Sequence, residues 1–405
     1  MREVIRSADP RIAALIARQA TQYVDRDQIG LDRITALLSA LGDPHRKLPP
    51  VFHVAGTNGK GSTCALLRAG LEAAGHRVHM FTSPHLVRYN ERIRIAGTLI
   101  NDAQLAEVMG RVLDANDAVG ASLFEVNTAA AFIAFAETPA DACVIEVGLG
   151  GQHDATNVVA PVACGIASVG IDHEGFLGSK LSGIAIEKAG IAKRGVPLVS
   201  LAQAADAERE IIRVAADNGA PLHLEGRDWV ADPTLRPALP GAHQLRNANL
   251  AWQMLGIQSV LTVSREAFEA GLATATWPAR FQRLPDGPLT GGVETWLDGA
   301  HNVDAAAALA ALLSEREPMH LVLGFLANKD AAAIVELLRP HALSLSFVPI
   351  PDHDAHDPEV LATRFGGRAA PDLDEALAPL PAPRLIVGSL YLAGVALSLN
   401  GSLPD

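Results

Sequence analysis

The chain has 405 residues, enough for two or three domains with sizeable cores, which excludes a disulfide-stapled miniprotein. Hydrophobic residues make up 49% and charged residues 19%, with Gly 35 and Pro 25, a balance that excludes a disordered or collagen-like chain. Lys plus Arg number 33 against 45 Asp plus Glu, so a net charge of -12 excludes any general attraction to nucleic acid or anionic lipid, and an anionic substrate needs a local pocket.

The first residues, MREVIRSADPRIAALIARQA, carry acids and an amphipathic pattern, not the basic region, apolar core and cleavage site of a signal peptide. From residue 51 short β-rich runs alternate with helical stretches, the pattern of βαβ units and a parallel sheet. Strands are predicted at 51–55, 77–81, 143–147, 162–168 and 197–201, with helices at 60–74, 102–116, 125–136 and 182–191, several preceded by capping residues. The turn-rich stretch LPDGPLTGG at 284–292 has no apolar period and is the expected linker and hinge. Beyond it, strands at 295–297, 320–323, 344–348 and 384–387 alternate with helices at 303–314, 331–338, 359–365 and 391–399. The expected architecture is therefore α/β. An ATP-binding domain with a parallel-rich sheet covers 1–284, a linker 285–292, and a smaller Rossmann-like domain 293–405.

The longest charge-free apolar stretch, 385–399, falls short of the ~20 residues that span a bilayer, so no membrane span is expected. Cys64, Cys143 and Cys164 are an odd set among apolar or small residues without CxxC spacing, which reads as buried thiols in a reducing cytoplasm.

The segment VFHVAGTNGKGSTC at 51–64 is the most informative. A β run ends in a glycine-rich turn and a lysine, then continues as a helix. Backbone N–H groups from Gly56, Thr57, Asn58, Gly59, Lys60, Gly61 and Ser62, with the helix N-terminus, would cradle a triphosphate while Lys60 supplies charge. The spacing is not GxxxxGK[ST], since Gly61 separates Lys60 from Ser62; a ligand-free turn is the plain alternative.

GTNGKGS is followed in order by TSPHLVRYNERI at 82–93, EVGLGGQHDATN at 146–157, GIDHEGFLG at 170–178, IEKAGI at 186–191 and LDGAHN at 297–302. Together these resemble the folylpolyglutamate synthase and dihydrofolate synthase family of the Mur ligase superfamily, over essentially the whole chain. The resemblance implies an ATP-dependent C–N ligase: a folate-type carboxylate is phosphorylated, and the acyl phosphate is attacked by the amine of L-glutamate. It implies magnesium, two ions, and leaves room for a monovalent cation. By the same resemblance Ser83, Glu146 and His173 are metal-linked, and all three follow the ends of predicted strands, where open α/β sheets place ligands. Each alone also reads as a turn serine, a surface acid or a core imidazole. Lys188 sits among apolar residues, which favours a neutral amine; in the family it carries carbon dioxide as a carbamate. A lysine paired with Glu187 or a phosphate is the alternative.

The resemblance further assigns Asn247 of HQLRNA to the base, Arg280 of WPARFQ to the transferring phosphate, and Asp298 and His301 to the nucleotide and reaction centre from the second domain. The plain alternatives are a helix cap or surface residue for Asn247 and an interdomain ion pair for Arg280. His301 and Ser389 of GSLYLAG are expected on the glutamate side. Residues 22–44 resemble the family's pterin loop and following helix, with Phe124, Glu125, His153 and Asp154 as pterin contacts. Phe124 also reads as a core aromatic, and His153 stands where relatives carry Arg or Lys.

Three motifs lead nowhere. GLGG at 148–151 lacks dinucleotide spacing, NKD at 328–330 lacks a residue of the guanine-reading motif, and PDHDAHDPE at 351–359 reads as a solvated loop. The expected partners are ATP, dihydropteroate or reduced folate, and L-glutamate; nucleic acid and membrane are not expected, and a cytoplasmic monomer is. Polyglutamylation alone, and a nucleotide-dependent switch without ligation, are the alternatives.

Overall fold

The computed structural model describes residues 9–21 and 30–405, and its chain builds two sheets. The first comprises β1 (Val51–Ala55), β2 (Val78–Phe81), β3 (Ile93–Ile95), β4 (Thr98–Leu99), β5 (Ala142–Glu146), β6 (Pro161–Ile166), β7 (Leu198–Ser200) and β8 (Leu222–Leu224), in the order β4-β3-β2-β5-β1-β6-β7-β8. The six strands from β2 to β8 run parallel; β3 and β4 pair antiparallel at one edge.

Central strands VFHVA and ACVIE are buried along their whole length, as expected of parallel strands covered on both faces. Alternate residues of β1 go to opposite sides: Val51 packs with helices Asp102–Asn116 and Leu123–Glu137, while Phe52 and Val54 pack with helices Lys60–Ala73, Ala242–Ile257 and Arg265–Thr274. A third core joins helices Leu181–Ala189 and Ala205–Asn218 to β6 and β7.

The second sheet comprises β9 (Gln282–Arg283), β10 (Thr295–Leu297), β11 (Met319–Leu323), β12 (Ala342–Phe347), β13 (Arg368–Ala369) and β14 (Arg384–Val387), in the order β13-β12-β11-β14-β10-β9. All pairs are parallel except β9 with β10. The fold is thus α/β with two sheets, as expected.

The stretch 285–292 is not a linker. It joins β9 to β10 inside the second sheet, where Arg283 pairs with Trp296. Arg384 donates to Thr290 O at 2.6 Å and Asn400 Nδ2 donates to Pro285 O at 3.0 Å, so the turn is tied down by the body of that domain. The crossing between sheets lies just before β9, at 275–281. There Ala279 and Phe281 take left-handed φ values of 56° and 44°, held because Ala279 O accepts from Gly299 N and Asp298 Oδ2 accepts from Phe281 N.

The expected pterin loop falls partly at 22–29, outside the described residues; 32–40 is helical, Asp32–Ala40. No helix among the described residues is long and apolar enough to cross a membrane, and 385–399 divides into β14 and the helix Leu390–Leu399.

Candidate active site

At the carboxyl end of β1 the chain turns through Gly56 and Gly59 into helix Lys60–Ala73. Packing dictates the glycines. A Cβ at Gly56 would lie 2.9 Å from Ala167 Cβ, one at Gly59 2.6 Å from Asn247 Oδ1, and one at Gly61 2.7 Å from Trp277 Nε1. Gly59, at φ 87°, caps the helix without a side chain, so the first-turn N–H groups face the cleft unpaired by a cap. The buried hydroxyls of Ser62 and Thr63 have no partner among the described residues, which suits a phosphate or its counterion. Lys60 Nζ folds back on the loop, donating to Gly56 O at 3.0 Å and Thr57 O at 3.3 Å.

Beside this loop, Glu146 closes β5 with 5% exposure and accepts a hydrogen bond from Ser83 N at 3.1 Å. Burial pushes its carboxyl up, opposed by Lys60, the Ser83 N–H and Arg280. His173 follows β6 at a left-handed φ of 54°, and burial lowers its pKa to about 4, leaving a neutral imidazole. Lys188 Nζ is buried and donates to Gly56 O at 2.9 Å; burial first, then the charge of Lys60, lower its pKa to about 7. Among the described residues no three His, Cys, Asp or Glu side chains group as a metal site. The expected set has only Glu146 and His173 of those types, which fits a hard cation completed by a serine hydroxyl, water and phosphate oxygens.

The crossing at 275–281 and the second domain supply the opposite wall. Arg280, between the two strained residues, is pushed down by desolvation against the pull of Asp298 and Glu146. Asp298 accepts from Phe281 N and Ala300 N, both at 2.8 Å. His301 Nδ1 lies 2.8 Å from Gly299 O, with Nε2 turned toward Asp172 at 3.4 Å. Ser389 caps helix Leu390–Leu399 by accepting from Tyr391 N, and Asn247 is buried against Gln244 and Gly59. Asp298 and His301 both line the cleft.

On the remaining side Phe124 lies over Gly148, where a Cβ would come within 2.3 Å of its ring. Glu125 is occupied in a capping box, accepting from Ser122 N at 2.7 Å, and pairs with Arg33 at 3.2 Å. Asp154 accepts from Leu149 N at 2.9 Å and Thr156 N at 3.0 Å. His153, partly exposed, pairs with Glu187 at 2.9 Å.

The site residues expected from the sequence line one cleft of about 1680 Å3, apart from Gly56 and Lys188, which bond to each other behind it. Its walls also hold Arg33, Asp172, Asn302 and Lys329, which sequence reasoning did not single out. A lysine in NKD and an aspartate beside His173 have no local signal, because their partners lie more than a hundred residues away.

No protein-family model matches the chain. It is 35% identical over 351 residues to the dihydrofolate synthase/folylpolyglutamate synthase of Bacillus subtilis, covering 78% of this chain and 80% of that protein. It is 34% identical over 399 residues to the folylpolyglutamate synthase of Lacticaseibacillus casei, covering 89% and 92%. Among solved structures, Escherichia coli FolC in complex with DHPP and ADP superposes with a TM-score of 0.86 at 28% identity, over 97% of this chain and 98% of that one. A bifunctional folylpolyglutamate synthase/dihydrofolate synthase with Mn, AMPPNP and L-glutamate bound gives a TM-score of 0.85 at 30% identity, over 98% and 99%.

Proposed function

The chain belongs to the dihydrofolate synthase/folylpolyglutamate synthase family and is an ATP-dependent ligase; we propose that it joins L-glutamate to dihydropteroate and also extends reduced folates with glutamate. The observation that carries this reading is the placement of Lys60, just after β1, and Arg280, from the crossing at 275–281, with Glu146 in one cleft, where both charges act on that carboxylate. Bringing a carboxylate up to a triphosphate sets anion against anion, and cations fixed on both walls offset that repulsion.

In this reading a carboxylate oxygen of the pteroyl or folyl acid attacks the γ-phosphorus and ADP leaves. The amine of L-glutamate then attacks the acyl carbon, phosphate departs, and the amine loses a proton to complete the amide. Lys60 and the N–H groups of 56–62 hold the phosphates, Asn247 the base, and Arg280 the group in transfer. Asp298 steadies the Arg280 turn through Phe281 N. His301 and Ser389 face the incoming glutamate. Phe124 offers a flat ring to the pterin, and Asp154 offers the lone pairs not used by its own loop.

Magnesium, when bound, supplies positive charge to the phosphates; Ser83, Glu146 and His173 would hold it, and Lys188 as a carbamate would hold a second ion. The amine held by Gly56 O is suited to that adduct, since near neutral pH a large share of it is unprotonated. Three free, buried cysteines accord with a reducing cytoplasm, and the reading needs one copy of the chain.

The test is release of ADP by the purified protein with ATP, magnesium and L-glutamate, given dihydropteroate in one series and tetrahydrofolate in another. Glutamate-dependent release with both acids is expected. Release with tetrahydrofolate alone would reduce the reading to polyglutamylation, and nucleotide binding without release in either series would overturn it.

A further inference from the structure

Where the two domains meet, one carboxylate collects groups from both. Asp172, after β6, accepts from the N–H of its neighbour His173 at 2.7 Å. From the second domain it receives Lys329 Nζ, Asn302 Nδ2 at 3.0 Å and His301 Nε2 at 3.4 Å. The Asp172 and Lys329 side chains are 7% and 8% exposed. Asn302 extends the network to the phosphate loop: its amide exchanges hydrogen bonds with that of Asn58 at 3.0 and 3.1 Å, and its Oδ1 also caps helix Val303–Leu313 through Ala305 N. Gly170 permits the approach, since a Cβ there would collide with Asp304.

We propose that Asp172 is the positioning residue that docks the second domain onto the phosphate loop and sets His301 in register with it. Two features of the geometry argue for more than a surface ion pair. The pair is buried, so removing one partner strands the other charge out of water, a far larger penalty than losing an exposed bridge. The same carboxylate fixes the His173 turn on one side and, through Asn302, Asn58 on the other, so its loss uncouples three loops at once. The docking role stands on the contacts alone; its effect on turnover rests on the ligase reading above.

The test compares the full-length chain with Asp172→Asn, which keeps the shape and removes the charge, and with Lys329→Met, which breaks the pair from the opposite domain. Small-angle scattering and steady-state kinetics are measured on each. A larger radius of gyration in both variants is expected, with kcat down about tenfold or more, KM for ATP within about threefold, and a double variant no worse than the poorer single one. Unchanged scattering, unchanged kcat, or losses that simply add would overturn the proposal. If Asp172→Asn fails to fold, Lys329→Met decides by the same criteria. If the wild type shows no glutamate-dependent turnover, the ligase reading fails, and scattering alone decides the docking role.

Discussion

Lys188 and Lys60 donate to the same carbonyl oxygen, that of Gly56, from 2.9 Å and 3.0 Å. Two ammonium groups converging on one acceptor is costly when one of them is buried, and burial and the Lys60 charge hold Lys188 near a pKa of about 7. A base whose pKa is lowered by folding destabilises the fold wherever it is protonated, and the penalty is relieved as pH rises from the folded value toward the unfolded one. Lys188→Met is therefore expected to be more stable than wild type at pH 6, by on the order of 4 kcal/mol. The advantage should shrink as pH rises from 7 toward 10, and denaturant midpoints of both proteins across that range check it.

The same residue bears on catalysis. Lys188→Ala should be folded and inactive, with acetate restoring part of the turnover by filling the place of the carbamate carboxylate. Lys188→Arg should stay inactive because a guanidinium forms no such adduct. Wild-type turnover in the arginine variant would return Lys188 to ion pairing.

Lys60→Ala should lower kcat by several orders of magnitude while leaving the melting transition in place. Among the described residues its ammonium hydrogen-bonds only to loop carbonyls, so the fold loses little. Near-normal turnover at saturating ATP would contradict its assignment to the phosphates.

Gly61 lies against the edge of the Trp277 indole. Gly61→Ala should cost about 1 to 3 kcal/mol, since a methyl group has to displace the ring from a packed site. Trp277 emission and nucleotide affinity are expected to change together, because the ring and the loop share that contact. A stable variant with unaltered emission would mean that the ring yields freely.

The turn at 285–292 makes a separate forecast. Arg384 is buried and donates to Thr290 O, Leu377 O and Thr295 Oγ1. Arg384→Met should lower stability by about 2 to 4 kcal/mol, leaving carbonyls unpaired, without altering the scattering profile of the folded protein. A changed profile would restore the hinge to this turn and remove it from the crossing at 275–281.

How far the site could be read in advance depended on where its partners lie in the chain. The glycine-rich strand-to-helix turn was legible because strand, glycines, lysine and helix follow one another within fourteen residues, from 51 to 64. Glu146 and His173 stand in ordered motifs, and both line the cleft. Asp172 and Lys329 were not, since an ion pair spanning 157 positions leaves no periodicity or spacing to read. The linker was misplaced for a related reason: LPDGPLTGG signals a turn, and composition alone does not tell a connection between sheets from one within a sheet. The strand that decides the matter, β9, is two residues long. Helix Ala205–Asn218 was legible but not among the predicted elements; Ala207, Ile211, Val214 and Ala215 bury one face at helical spacing.

Strand length at the margins of the two sheets has a consequence for life at high concentration. The outermost strands are β4 and β8 in one sheet and β13 and β9 in the other, and each is two or three residues long. A foreign strand seeking free backbone N–H and C=O groups finds too short a template to anneal, whereas the long apolar strands that could seed fibrils, β1, β5 and β11, are enclosed between neighbours. Resistance to edge-to-edge aggregation is thereby built into the order of the strands, independently of the chemistry in the cleft.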